Sequence, residues 1–144
     1  MADINITVTV DTENVSQADV NTAVTLTDDN GGFDVESGNS STFETTAVAQ
    51  SKLIWTPASV NGTDTVAITG INYNSGDHIF DGDPVQNSDG TWQVYMDAQI
   101  TEGQEEEYDI VFSVSNKPGE SFTLDPKVRT GGSTSTDSDS DNNG

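Results

Sequence analysis

Two stretches of strict alternation constrain the fold more than anything else in this chain. Ile4, Ile6, Val8 and Val10 alternate with Asn5, Thr7, Thr9 and Asp11, and Tyr108, Ile110, Phe112 and Val114 alternate with Asp109, Val111, Ser113 and Ser115. Only an extended strand puts successive side chains on opposite faces, so each run predicts a strand with one buried face. Val, Ile and Thr together supply 41 residues and Leu only three, and β-branched side chains suit a pleated surface better than a helix. The expected fold is all-β.

Weaker signals fill in the rest. Val24 and Leu26 mark a strand ended by Asp28-Asp29-Asn30-Gly31-Gly32, with Phe33 and Val35 following briefly. Phe43, Thr45, Ala47 and Ala49 share one face. Leu53-Ile54-Trp55 is apolar on both faces, Pro57 is expected to end that strand or set it at an edge, and Asn61-Gly62 followed by Val66 to Tyr73 predicts a central hairpin. Trp92, Val94 and Met96 alternate again, and Phe122 and Leu124 return after the turn at Lys117-Pro118-Gly119. Short strands separated by turns, with no clear helix, predict one antiparallel β-sandwich over residues 1–130. The 37 large apolar side chains suffice for its core, because two facing sheets bury only the inward half of each strand. From Gly131 to Gly144 no apolar residue occurs, and the segment 131–144 is expected to be a disordered acidic tail.

Charge narrows the partners. Twenty-five acids against four bases give a formal charge of −21, which disfavours nucleic acid and anionic membranes as partners. Cations and neutral ligands remain. Without cysteine there is no disulfide, thiolate zinc site or cysteine nucleophile. The first residues show neither the basic region nor the apolar run of a signal peptide, so the expected location is cytoplasmic.

The ordered motifs resemble the bacterial inclusion body protein family of PixA and AidA. The opening strand running into Asp11-Thr12-Glu13-Asn14-Val15 is similar to the family's strand ending in Asp-Thr and an acid. Leu53-Ile54-Trp55 with Asn61 to Ile68 resembles its central hairpin, and Tyr108 to Val114 with Leu124-Asp125-Pro126-Lys127-Val128 its closing strands. The resemblance implies a jelly-roll-like or immunoglobulin-like sandwich, cytoplasmic and not an enzyme. It also implies an association with crystalline inclusions, with some members lectin-like.

Residues 74–90 are mostly turn formers around a small apolar island, Ile79, Phe80 and Val85, and a connection this long is often functional. Asp77, Asp81 and Asp83, with Gly82 between the last two, are the candidate calcium ligands. His78, Asn87 and Asp89 would bond sugar hydroxyls, and Tyr73 and Tyr95 would stack on a sugar ring. The competing interpretation is a set of solvated turns, since Asp readily caps its own backbone, and the spacing is not that of an EF-hand. Trp55 and Trp92 are expected in the core. His78, the single histidine, is too isolated to define a catalytic group, and Glu105-Glu106-Glu107 is read as a charged run that protects a strand end from aggregation. The leading expectation is a calcium-assisted carbohydrate-binding protein; the alternative is a structural protein of inclusions that self-associates as a homo-oligomer.

Overall fold

The computed structural model describes residues 3–131. Two sheets carry almost all of the regular structure. The first sheet is built from β1 (Asp3–Val10), β2 (Val24–Asp28), β5 (Lys52–Ser59), β7 (Val85–Gln86) and β8 (Trp92–Tyr95), in the order β2-β1-β5-β8-β7. The second contains β3 (Phe33–Asp34), β4 (Phe43–Ala47), β6 (Val66–Gly76), β9 (Glu105–Val114), β10 (Phe122–Leu124) and β11 (Lys127–Thr130). There β9 pairs β6 on one side and β10 and β11 on the other, and β11 continues the sheet to β4 and β3. One helical turn, α1 (Val20–Ala23), precedes β2.

The two alternating runs behave as their patterns demand. In β1, Ile4, Ile6, Val8 and Val10 are buried, and in β9 so are Tyr108, Ile110, Phe112 and Val114. These side chains belong to one core cluster fed by both sheets. The sheets meet directly where Trp55 of β5 donates its Nε1–H to the Tyr108 hydroxyl of β9 at 3.1 Å, with the rings edge to face at 5.5 Å. Trp92 of β8 likewise donates to the Ile68 carbonyl of β6 at 2.9 Å.

Two expectations need correction, and a third is decided between its alternatives. The sheets are mixed, not purely antiparallel: β1 runs parallel to β5 along its whole length, and β11 runs parallel to β4. Alternation reports only that one face of a strand is buried, so it is silent on the direction of the neighbour. The predicted hairpin around Asn61-Gly62 is a passage between sheets, since β5 lies in the first and β6 in the second. Asn61 shapes that passage: its Oδ1 accepts from the Thr63 and Asp64 amides at 3.0 and 3.1 Å, and Gly62 takes a φ of +73°. Finally, Pro57 meets its expectation by the second alternative: it does not end β5 but sits where the strand has a free edge. Its partner strand β8 stops pairing at Trp55, so one side of β5 is already free where the proline lacks its N–H, while β1 continues alongside to Ser59.

The closing segment is one strand with a break. Phe122 opposes Phe112 and Arg129 opposes Glu105 in a single register, and the buried Pro126 accepts from the Tyr108 amide at 3.1 Å between them. At the far end of the sheets, Lys117 gives its Nζ to the carbonyls of Glu13 and Val15, and Asn116 bonds the Thr12 carbonyl, tying the β9–β10 turn to the chain after β1. The Gly131 amide reaches Ala47; the remainder of the 131–144 segment lies outside the described residues.

Candidate functional site

The chemistry of this end of the molecule is organised by a buried carboxylate. Extending the alternation of β9 backwards from Tyr108 puts Glu106 on the inward face, and its side chain is only 2% exposed. Its Oε1 accepts from the Ile79 amide at 2.8 Å. The loop after β6 thus folds back over the sheet ends and is pinned from below. Ile79 is fully buried, and Phe80 packs edge to face on Trp55 and Tyr108 at 6.1 and 5.9 Å. Gly76, with φ +90°, allows the chain to turn against β9 closely enough for Asp77 to exchange bonds with Glu105: its amide donates to the Glu105 carbonyl and its Oδ2 accepts from the Glu105 amide.

Burial pushes the Glu106 carboxyl above the usual range, opposed by the amides of Ile79 and Phe80 and by the nearby His78. Burial also raises Glu107, with Asp125 beside it adding to the shift. The Tyr108 hydroxyl is raised by burial as well. Asp29, Asp64 and Asp89 are lowered, chiefly by side-chain bonds from Asn5, Asn61 and Thr91 respectively.

The signs give a pH profile. Glu106 holds its proton more tightly folded than unfolded, so its contribution is fully favourable below its unfolded value near 4.5 and is lost as pH rises through the folded value. The three aspartates act oppositely: their contribution is present above the unfolded value near 3.8 and is lost as pH falls through their folded values. The melting temperature is therefore expected to climb as pH is lowered through the raised folded values of Glu106 and Glu107 towards 4.5 and to fall again below about 3.8, by scanning calorimetry. Glu106→Gln, which keeps an acceptor and removes the charge, should flatten the climb and raise the melting temperature at pH 7. Glu106→Ala should lose about 1–3 kcal/mol, since it leaves the Ile79 amide unpaired. A Gln variant whose profile follows the wild type would show that Glu106 does not control the acidic limb.

The residues singled out from sequence fall around this latch in separate small groups. Tyr73 is 41% exposed and stacks on His78, with ring centroids 4.0 Å apart and planes 19° off parallel, while its hydroxyl donates to the Gly76 carbonyl. Each ring thus covers one face of the other. Tyr95 stands apart on the outer face of the first sheet, 48% exposed, with the Lys52 ammonium 5.9 Å from its ring centre. Asn87 and Asp89 build the turn between β7 and β8: Asp89 Oδ1 accepts from the Thr91 amide and hydroxyl, and Asn87 bonds Thr91 through backbone and side chain. Asp77 is engaged by Glu105, and the Asp81 amide bonds the Tyr95 carbonyl. Among the described residues, no three histidine, aspartate or glutamate side chains are gathered in a way that could hold a metal ion. Trp55 is fully buried and Trp92 partly so, as their apolar neighbours predicted.

Glu106 corrects the expectation for the Glu105-Glu106-Glu107 run, because its middle member is buried and pins a loop. A run of three glutamates looks uniformly solvated, and only the phase of β9 singles out the middle one.

Two mixed sheets sharing one core, closed at an end by a pinned loop, define an all-β protein. The likeness is to the crystal structure of the inclusion body protein PixA from Burkholderia cenocepacia J2315: TM-score 0.67 at 14% identity, covering 89% of this chain and 94% of that one. The chain belongs to the family described as domain of unknown function DUF8788, whose profile matches residues 2–120. No curated protein matches it. Among the described residues no helix is long and apolar enough to cross a membrane.

Proposed function

We propose that this chain is a self-associating structural protein of cytoplasmic inclusions, its two sheets forming a sandwich of jelly-roll or immunoglobulin type over residues 1–130, with no catalytic role. The observation that carries this reading is the architecture shared over most of both chains with a protein described as an inclusion body protein. The Glu106 latch fits it: buried carboxylate, loop amides and aromatic cluster are spent on one another, which secures a loop in place.

Assembly has to overcome the formal charge of −21. Repulsion between exposed charges is screened over about 10 Å at 0.1 M salt and about 3 Å at 1 M. The weight-average mass from sedimentation or light scattering should therefore rise with protein concentration, and rise further when sodium chloride goes from 0.1 to 1 M. A monomer under all these conditions would overturn the reading. A glycan array run with calcium and with chelator separates it from sugar binding: reproducible calcium-dependent hits would transfer the function to carbohydrate recognition by the 77–89 loop.

A further inference from the structure

We propose that two copies of this chain meet through the outer face of the first sheet, packed face to face about a two-fold axis. The inference rests on the self-association reading and names its surface.

The two outer faces differ in charge. On the second sheet the outward positions include Glu44, Glu105, Glu107 and Asp109 with Lys127 and Arg129, and Lys127 sits in register between Glu44 and Glu107. On the first sheet the outward strand positions carry two charges, Asp3 and Lys52, which are register partners at one end. Asp29, just beyond β2, joins that end through its bonds to Asn5. The rest of the face is neutral in a chain of charge −21. Thr27, Thr7 and Thr56 form one rank across β2, β1 and β5, and Thr25 and Thr9 begin the next. Thr25, Thr27 and Thr56 are exposed, and so are Val85 and Tyr95 on the flanking strands.

Like-charged copies can approach closely only where acids are few, because every facing pair of carboxylates adds repulsion. A two-fold interface presents each surface to itself, so it must be self-complementary. Threonine meets that condition, since its hydroxyl both donates and accepts and its methyl packs. A carboxylate accepts only, and cannot pair with its own copy. The five strands range from two to eight residues, and at a rise of about 3.3 Å and a spacing of about 4.8 Å they give a footprint on the order of 430 Å² per copy. The total is about 850 Å², the size of a weak, transient contact and below that of a permanent dimer. Such contacts are individually weak and take hold when protein is concentrated.

The test places new charge on each face. With the wild type assembling in 1 M sodium chloride, Thr27→Asp/Thr56→Asp should raise the concentration for half-assembly at least tenfold, while Thr46→Asp, on the outer face of the second sheet, should change it less than twofold. Circular dichroism checks that each variant is folded. Equal shifts would mean that net charge alone matters and would overturn the surface. If the double variant does not fold, single cysteines in this cysteine-free chain replace it: Thr56→Cys should oxidise to a disulfide dimer and Thr46→Cys should not, and the reverse pattern overturns the proposal. A monomeric wild type refutes self-association and the surface together, whereas an assembling wild type with indifferent variants refutes the surface alone. Sugar binding by the wild type that is lost in Thr56→Asp would give the face to a saccharide.

Discussion

Trp55→Ala is expected to lower the stability of the fold by about 3–5 kcal/mol, the usual cost of deleting a large buried aromatic. Trp55 is fully buried and is where the sheets touch: it packs against Tyr108 and Phe80 and donates to the Tyr108 hydroxyl. The variant opens a void between the layers and takes away the donor to that hydroxyl. Single domains are stable by only about 5–15 kcal/mol, so a chain at the lower limit would not stay folded at 37 °C. Tyr108→Phe isolates the polar part, leaving the indole N–H unpaired in the core at about 1–3 kcal/mol. Urea denaturation should show both losses as lower midpoints at unchanged slope. A Trp55→Ala loss below 1 kcal/mol would mean that the contact between the sheets lies elsewhere.

The second large effect belongs to the loop. At Gly76 a methyl group would stand 2.5 Å from the Glu105 carbonyl oxygen, a backbone atom that cannot swing aside, at a φ of +90°. The left-handed conformation costs a residue with a side chain about 1–2 kcal/mol. Relieving the clash pulls the Asp77 amide off the same carbonyl, a further 0.5–1.5 kcal/mol or about that. Gly76→Ala should thus lose about 1.5–3.5 kcal/mol in all. Gly82, with φ +83° and open space around its Cα, is the control, and Gly82→Ala should lose about 1–2 kcal/mol from backbone strain alone. Hydrogen exchange at Ile79 would report loosening of the loop directly. Equal losses at the two glycines would show that the approach to β9 is not tight.

Much of the fold was legible because its main strands are half-buried. Where one face meets the core and the other meets water, composition alternates and the strand declares itself, as in β1 and β9. Pairing was not legible, because the same alternation serves parallel and antiparallel neighbours. The Asn61-Gly62 turn has the composition of a hairpin, and only the separate sheet positions of β5 and β6 reveal a crossing. The loop candidates fared as their chemistry allows. Asp and Asn in loops readily take up nearby protein groups: Asp89 bonds the local Thr91 amide, Asn87 the Thr91 hydroxyl, and Asp77 the Glu105 amide across the sheet end. Glu106 was legible in principle: it stands two residues before Tyr108, on the same face, and a glutamate on the apolar phase of a strand is a buried charge awaiting partners.

The position of β11 also sets the order in which the molecule can be completed. The strand lies between β9 and β4, pairing with Glu105 to Glu107 on one side and with Glu44 to Ala47 on the other. Val128 and Thr45, opposite each other there, stand 128 − 45 = 83 residues apart. During synthesis the second sheet therefore remains two fragments with facing open edges until Lys127–Thr130 has emerged. Contacts of such sequence separation form slowly, and an unpaired strand edge will accept any strand that reaches it first. Fidelity of assembly in this protein is thus a matter of timing: β11 must close its own sheet before a neighbouring chain does.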